Sequence, residues 1–348
     1  MEPIKDRGTF KTQDVTLLLS DITGAIAPLP TEEREKLIQS GIHYSAMLPL
    51  EYRPSEEYLA EYYLSLENFS QKTAESVVDV SNKIYAKKGG KVVLVSLARA
   101  GIPIGALIKR RLQKKFGITP PHYAISIVRG RGIDRVAMRY MLERHSAESI
   151  QFVDGWTGKG AILNELANAA GEFLGGIDKR ELLAVLSDPA DITDICGTRE
   201  DFPIPSSFLN STVCGLMSRT VIRSGIEEGE FHGVAFYEEL RDEDKTYEFI
   251  ERIESNMNCA QTTGLDEVKK IAAQFGIHDI NLIKPGIGET TRVLLRRLPY
   301  MALIANDAEE KFVSHIIQLA KEKNVPVVRY PLLKYKACGI IKELAADA

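Results

Sequence analysis

Between residues 92 and 187, short unbroken apolar runs alternate with helical stretches, and few folds accommodate that order. The run at 92–95 is Val-Val-Leu-Val, and the stretch 101–116 behind it has a helical pattern and ends in basic residues before Gly117. A second run at 122–128 precedes a helical segment at 136–144, and a third at 149–153 precedes one at 160–174. A fourth run, 181–186, ends in Ser187-Asp188-Pro189. Apolar runs without polar alternation are strands buried on both faces, the pattern of a parallel sheet covered by helices. Such sheets bind ligands at the carboxyl ends of their strands, so the loops leaving each strand carry the chemistry.

The flanks complete an α/β arrangement. Upstream, 55–86 reads as amphipathic helix, with Tyr58, Leu59, Tyr62, Tyr63 and Leu66 at helical spacing, and an N-terminal helical subdomain is expected. Downstream, 237–254 is charged and helix-prone and leads into the polar segment 255–264. The alternation then resumes, with helices expected at 265–275, 290–297 and 310–323 and strands at 280–283, 300–305 and 325–328. A chain of 348 residues exceeds what one core usually fills. The expected organisation is a parallel-sheet domain over 1–254, a linker over 255–264 and a small α/β/α domain over 265–348.

Charge separates the two parts. Residues 265–348 carry 13 Lys and Arg against 10 Asp and Glu, while the remainder carries 31 against 38. A basic tail on an acidic body points to different partners for each. No apolar run approaches the roughly 18 residues of a membrane helix, and the first 11 residues are polar, so a cytoplasmic protein without membrane contact is expected. Cys196, Cys214, Cys259 and Cys338 are scattered, without a CxxC pair or a histidine at ligand spacing. Reduced thiols fit that usage better than a disulfide framework or a zinc site.

Three loops stand out. Ser96 to Gly105 follows the first core strand, where Ala100 and Gly101 let an anion approach the backbone and Arg99 offers a bidentate contact. The stretch Asp154-Gly155-Trp156-Thr157-Gly158-Lys159-Gly160 leaves the third strand and opens a helix, so its N–H groups and the Thr157 hydroxyl suit a phosphomonoester. Asp154 could hold ribose hydroxyls or a hydrated Mg²⁺, directly or through water. A Walker A loop is excluded, because Val153 stands where its first glycine belongs and Gly160 where its Ser or Thr belongs. Between these loops, Arg129 and Arg131 sit among glycines in a segment suited to closing over a charged substrate. The first and third of these loops also fit an ordinary turn with a solvated charge, whereas the loop at 154–160 is the stronger signal.

This order resembles type I phosphoribosyltransferases over roughly residues 40–230. Arg99-Ala100-Gly101-Ile102-Pro103 is similar to their pyrophosphate loop, and Val153 to Lys159 to their diphosphate-sugar motif. The latter departs from the family, since Asp154 stands alone where two adjacent carboxylates are usual and the spacer before Thr157 is short. The wording "LVSLARAGIPIG", "VRGRGID" and "FVDGWTGKG" looks closer still to the group found with tellurite-resistance stress genes. Its members carry a Pelota-like RNA-binding domain, and some are labelled cysteine proteases of the StiP type. The resemblance spans nearly the whole chain. In the tail, Gly286, Gly288, Glu289, Thr291 and Arg292 resemble the loop and helix start by which kink-turn binders meet RNA, with Gly288 where that family has Asn, and Arg292, Arg296, Arg297, Lys334 and Lys336 could supply phosphate contacts.

The resemblance implies transfer of a phosphoribosyl group from phosphoribosyl diphosphate to an unidentified base. In that scheme Thr157, Gly158, Lys159 and Gly160 hold the 5-phosphate, and Ser96, Arg99, Ala100 and Gly101 hold pyrophosphate with Mg²⁺. Asp154, Arg129 and Arg131 complete the catalytic set, structured RNA engages the tail, and a homodimer is one expected assembly. Two other readings stay open: a non-catalytic sugar-phosphate sensor with an RNA-binding tail, and a cysteine protease pairing Cys214 with His232 or Cys338 with His315.

Overall fold

Helix α2 explains much of the architecture, and its limits are set by local chemistry. In the computed structural model, which describes residues 2–222, 229–257, 264–306 and 308–343, it follows strands β1 (Thr16–Leu17), β2 (Ser20–Asp21) and β3 (Pro28–Leu29), helix α1 (Thr31–Gln39) and strand β4 (Leu48–Pro49). It spans Glu56–Lys88, and its 33 residues make a rod of about 50 Å. Ser55 caps its start by accepting from the Tyr58 N–H at 3.2 Å, with Glu56 and Glu57 in the first turn. Lys87 and Lys88 occupy its last turn before Gly89, whose φ of 59° ends the helix. Tyr62, Leu66, Val77 and Ile84 form its buried stripe. Each such side chain removed from water contributes about 1.5–3 kcal/mol.

The remaining elements of this part follow in alternation. They are β5 (Val93–Ala98), α3 (Gly101–Phe116), β6 (His122–Val128), β7 (Gly132–Ile133), α4 (Arg135–Leu142), β8 (Ile150–Val153), α5 (Ala161–Leu174), α6 (Lys179–Leu182), β9 (Leu183–Ser187), β10 (Ile195–Thr198), β11 (Gly233–Val234) and α7 (Thr246–Asn256). The main sheet runs β1-β6-β5-β8-β9-β10 with every pairing on that path parallel, and β7 pairs antiparallel with β6. One face packs on α2, α3 and α7 around Tyr62, Leu94, Leu107 and Phe249. The other packs on α4 and α5 around Val95, Met138, Phe152 and Leu166. Because the strands are parallel, the loops after Ala98, Val128, Val153 and Ser187 leave from one edge of the sheet.

The parallel sheet read from the sequence is present. The N-terminal part differs from the helical subdomain expected: β1 joins the main sheet beside β6, β2 pairs with β11, and α2 lies on the sheet itself. Strand β10 was not anticipated.

The chain divides into two compact units, Met1–Ala260 and Gln261–Ala348. The second contains α8 (Gly264–Phe275), β12 (Ile283–Pro285), α9 (Ile287–Arg296), β13 (Pro299–Ala305), α10 (Glu310–Glu322), β14 (Val327–Tyr330) and β15 (Ala337–Ile341). Its sheet runs β12-β15-β13-β14, with β15 antiparallel to both neighbours and β14 parallel to β13. The core gathers Ile271, Leu303, Ile316 and Cys338. The tail elements read from the sequence are found, but the segment 280–283 starts as a turn of 3-10 helix, and β15 was not foreseen. Residues 258–263 of the polar boundary segment, with Cys259, lie outside the described residues, as does Asp307.

Candidate active site

The loop after β5 is built by close packing. A Cβ at Gly101 would stand 2.5 Å from the Val153 carbonyl, so only glycine lets α3 start against β8. Ser96 is fully buried, with Oγ 2.9 Å from the Gly101 carbonyl and 2.7 Å from His122 Nε2. Its hydroxyl therefore braces the loop from beneath instead of facing a ligand. Arg99 follows a cis Ala98–Arg99 peptide; it pairs with Glu51 Oε1 at 2.8 Å and donates to the Met217 carbonyl at 2.7 Å. Ala100, by contrast, lines a cavity of about 320 Å³ together with Asp154, Thr157, Gly158, Lys159 and Gly160.

That cavity brings the second sequence loop together as expected for a turn opening α5. Gly160 has φ 87° as the residue before the helix. Thr157 is held twice, by its N–H on the Ser187 carbonyl at 3.0 Å and by its hydroxyl on Asp188 Oδ1 at 2.5 Å. Asp154 accepts from the Gly155 N–H at 2.8 Å, and burial pushes its carboxyl up to about 7. Among the described residues no group of three or more His, Cys, Asp or Glu is arranged to hold a metal ion.

Arg129 and Arg131 are exposed on the turn between β6 and β7. The turn is anchored, since Glu165 accepts from the Gly130 and Gly132 N–H groups at 2.8 and 2.9 Å and Tyr44 Oη accepts from the Arg129 N–H at 3.0 Å. Of the polar residues 198–201, Arg199 pairs with Asp188 and Glu200 with Lys72.

A second depression, of about 420 Å³, is lined by Arg34, Glu51, Arg53, Arg99, Ser211, Thr212 and Arg219 among others. The sequence marks Arg99 as an anion contact and 210–212 and 218–220 as polar runs, but it does not bring them together with Arg34, which comes from a distant segment. Cys214 lies two residues beyond Thr212 and is buried. Burial pushes its thiol up to about 12; Arg99 pulls the other way, and Glu51, Asp154 and Asp244 add to the rise. Cys196 and Cys338 are also buried free thiols, the latter pushed up to about 12 by burial.

Neither sequence-predicted cysteine and histidine pair is joined by a hydrogen bond among the described residues. His232 Nδ1 faces Ser126 Oγ at 2.9 Å and its backbone N–H donates to Asp134 Oδ2 at 2.6 Å. His315 Nε2 faces Thr291 Oγ1 at 2.9 Å. In the second unit Gly286 precedes α9 with φ 100°, and Gly288, Glu289, Thr291, Arg292 and Arg296 follow within that helix. Arg292 pairs with Glu289 at 2.9 Å.

Comparison with known proteins shows the family. The family model described as "Tellurite-like stress resistance cysteine protease StiP" matches residues 8–254, and the PELOTA RNA binding domain matches 262–343. The chain belongs to the StiP family. Over 365 aligned residues it is 34% identical to the cysteine protease StiP of Acinetobacter baylyi, an alignment covering 97% of this chain and 94% of that relative. StiP membership corrects the principal functional expectation. Phosphoribosyl transfer, and with it the transferase, phosphoribosyl diphosphate and magnesium assignments, is overturned by a family and a relative named for cysteine proteolysis. The physical reason is that a glycine-rich turn after a parallel strand establishes a cradle of N–H groups, not the reaction done beside it. The StiP label attached to the resembled group and the Pelota-like tail both stand.

Proposed function

We propose that this chain is a thiol-dependent peptide hydrolase with an RNA-binding second unit. The observation that carries the reading is 34% identity, across 97% of the chain, to a protein named a cysteine protease. Of the described cysteines, Cys196 and Cys214 fall inside the family match. We assign the nucleophile to Cys214, because it follows Ser211 and Thr212 of the groove wall and its thiol feels Arg99.

The chemistry sets a condition. A thiolate attacks the peptide carbonyl, the amine leaves with a proton, and water then cleaves the thioester to release the acid and restore the thiol. A thiol near 12 is almost wholly protonated at neutral pH, so occupancy of the groove has to expose Cys214 to the Arg99 charge. Asp154, one of the charged groups around the thiol and itself near 7, suits a group that takes and returns that proton.

Cleavage of a peptide library, read by mass spectrometry, tests the assignment. Cys214→Ala should abolish cleavage while Cys196→Ala and Cys338→Ala retain it. Undiminished cleavage by Cys214→Ala would remove that residue from the chemistry, and no cleavage by the unaltered chain would remove the peptidase reading. For the second unit, the Pelota match over residues 262–343 supports RNA contact, and we place that contact on α9, where Arg292 in its middle and Arg296 in its last turn offer phosphate contacts. Reversing both charges should weaken retention of structured RNA, and unchanged retention counts against α9 as the RNA face.

A further inference from the structure

The groove lined by Ser211 and Thr212 carries a charge imbalance that its own walls do not neutralise. Four guanidinium groups line it, from Arg34, Arg53, Arg99 and Arg219, against the single carboxylate of Glu51. Glu51 is committed to Arg99 at 2.8 Å, and Arg53 is paired with Glu243 at 3.4 Å. Arg34 and Arg219 have no carboxylate partner among the described residues. Among the described residues Arg219 donates to the carbonyl oxygens of Tyr44 at 2.6 Å and Met47 at 3.3 Å, and its guanidinium lies 5.1 Å from the centre of the Tyr44 ring. The Nε atoms of both Arg34 and Arg219 are buried without any hydrogen-bond partner. Folded proteins satisfy the great majority of buried donors, so these two orphaned Nε atoms show that both guanidinium groups are short of acceptors within the fold.

The three arginines also crowd one another. Burial lowers the Arg219 pKa, and repulsion from Arg34 and Arg99 adds to that effect. Like charges gathered against each other are relieved by a shared anion, and guanidinium forks match the two oxygens of a carboxylate.

We infer that Arg34, Arg99 and Arg219 form the recognition site for an acidic side chain of a peptide substrate, so that the enzyme selects aspartate or glutamate near the cleaved bond. The substrate class rests on the peptidase reading, whereas the anion site itself stands on the arginine geometry. Glu51 keeps Arg99 oriented from below, and Ser211 and Thr212 are placed to meet the peptide beside the charge.

The test measures binding apart from cleavage. Full-length Cys214→Ala protein is titrated with a fluorescent peptide containing one glutamate and with the same peptide carrying glutamine, at two salt concentrations. The expected result is at least tenfold tighter binding of the glutamate peptide at low salt. That margin shrinks with salt and disappears in Arg34→Gln. Arg219→Gln, measured in parallel, keeps the assignment testable if one variant folds poorly. Equal binding of the two peptides, or a preference unchanged in both variants, overturns the inference. Inorganic phosphate is the competing probe: if it binds at the arginines and the acidic peptide does not, the groove serves a small oxyanion and the peptide assignment falls. Binding of the acidic peptide without cleavage by the unaltered chain keeps the anion site and removes the peptidase reading. Cleavage without acidic preference does the reverse.

Discussion

The hydroxyl of Thr157 donates to Oδ1 of Asp188 at 2.5 Å, and Asp188 is fully buried. Through this bond the turn after β8 is fixed to the turn after β9. The other carboxylate oxygen accepts from the N–H groups of Ile192 at 2.9 Å and Thr193 at 3.0 Å, and Arg199 pairs with it. One side chain thus shapes the wall of the Asp154–Gly160 cavity without lining it.

Removing that carboxylate leaves buried donors unpaired. Asp188→Ala is expected to cost about 1–3 kcal/mol for each buried donor it leaves unsatisfied. Thr157→Val removes one neutral donor and should cost about 1 kcal/mol. Urea unfolding of the larger unit checks both, and equal midpoints for the two variants would show that Asp188 is not the hub.

His122 predicts the pH dependence of stability. It is buried, with Nδ1 2.7 Å from the Asp14 carbonyl and Nε2 facing Ser96. Burial lowers its pKa to about 4 against an ordinary 6.5, although the Asp14 carbonyl opposes the fall. Between those values the unfolded chain binds more protons than the folded one. The contribution is whole above pH 6.5 and is lost as pH falls toward 4, by up to about 1.4 kcal/mol per pH unit. His122→Gln should flatten that part of the profile relative to the unaltered chain. Parallel profiles over this interval would mean that the imidazole is protonated in the fold.

The parallel sheet was legible because its strands are continuous apolar runs, and the turn at 154–160 because glycine and threonine follow such a run directly. Strand β10 was not legible, since Ile195-Cys196-Gly197-Thr198 is short and half polar. Its place depends on Gly197, where a Cβ would meet Ser76 of α2 at 2.6 Å. Strand β15 is wholly buried and central to its sheet, yet Ala337-Cys338-Gly339 has little β propensity of its own. Arg99 was legible as an anion contact, but its grouping with Arg34 and Arg219 was not. Arg34 belongs to α1, Arg99 to the turn after β5 and Arg219 to an irregular segment, so folding alone brings them together.

The resting state of Cys214 gives a direct chemical prediction. A thiol near 12 carries on the order of 1000-fold less thiolate at pH 8 than an ordinary one. Iodoacetamide should leave Cys214 unmodified in the native chain under conditions that alkylate it in urea, as read by peptide mapping. An acidic peptide in the groove should accelerate native labelling. Rapid labelling of the empty protein would show that the thiol is ionised and accessible at rest.

Two glycines in helices should respond in opposite directions to alanine. At Gly105 in α3, a Cβ would stand 2.2 Å from Ser96 Oγ and 2.3 Å from His122 Nε2, two atoms already engaged with each other in the core. Neither can yield without breaking that contact, and Gly105→Ala should cost about 1–3 kcal/mol as overpacking. At Gly171 in α5 nothing lies within 4 Å of the added methyl, and the residue is exposed. There the gain in helix propensity, about 0.5–1 kcal/mol, is unopposed. Thermal unfolding of the two variants separates the effects. A loss at Gly171 of the size expected at Gly105 would mean that α5 packs against a surface absent from the described residues.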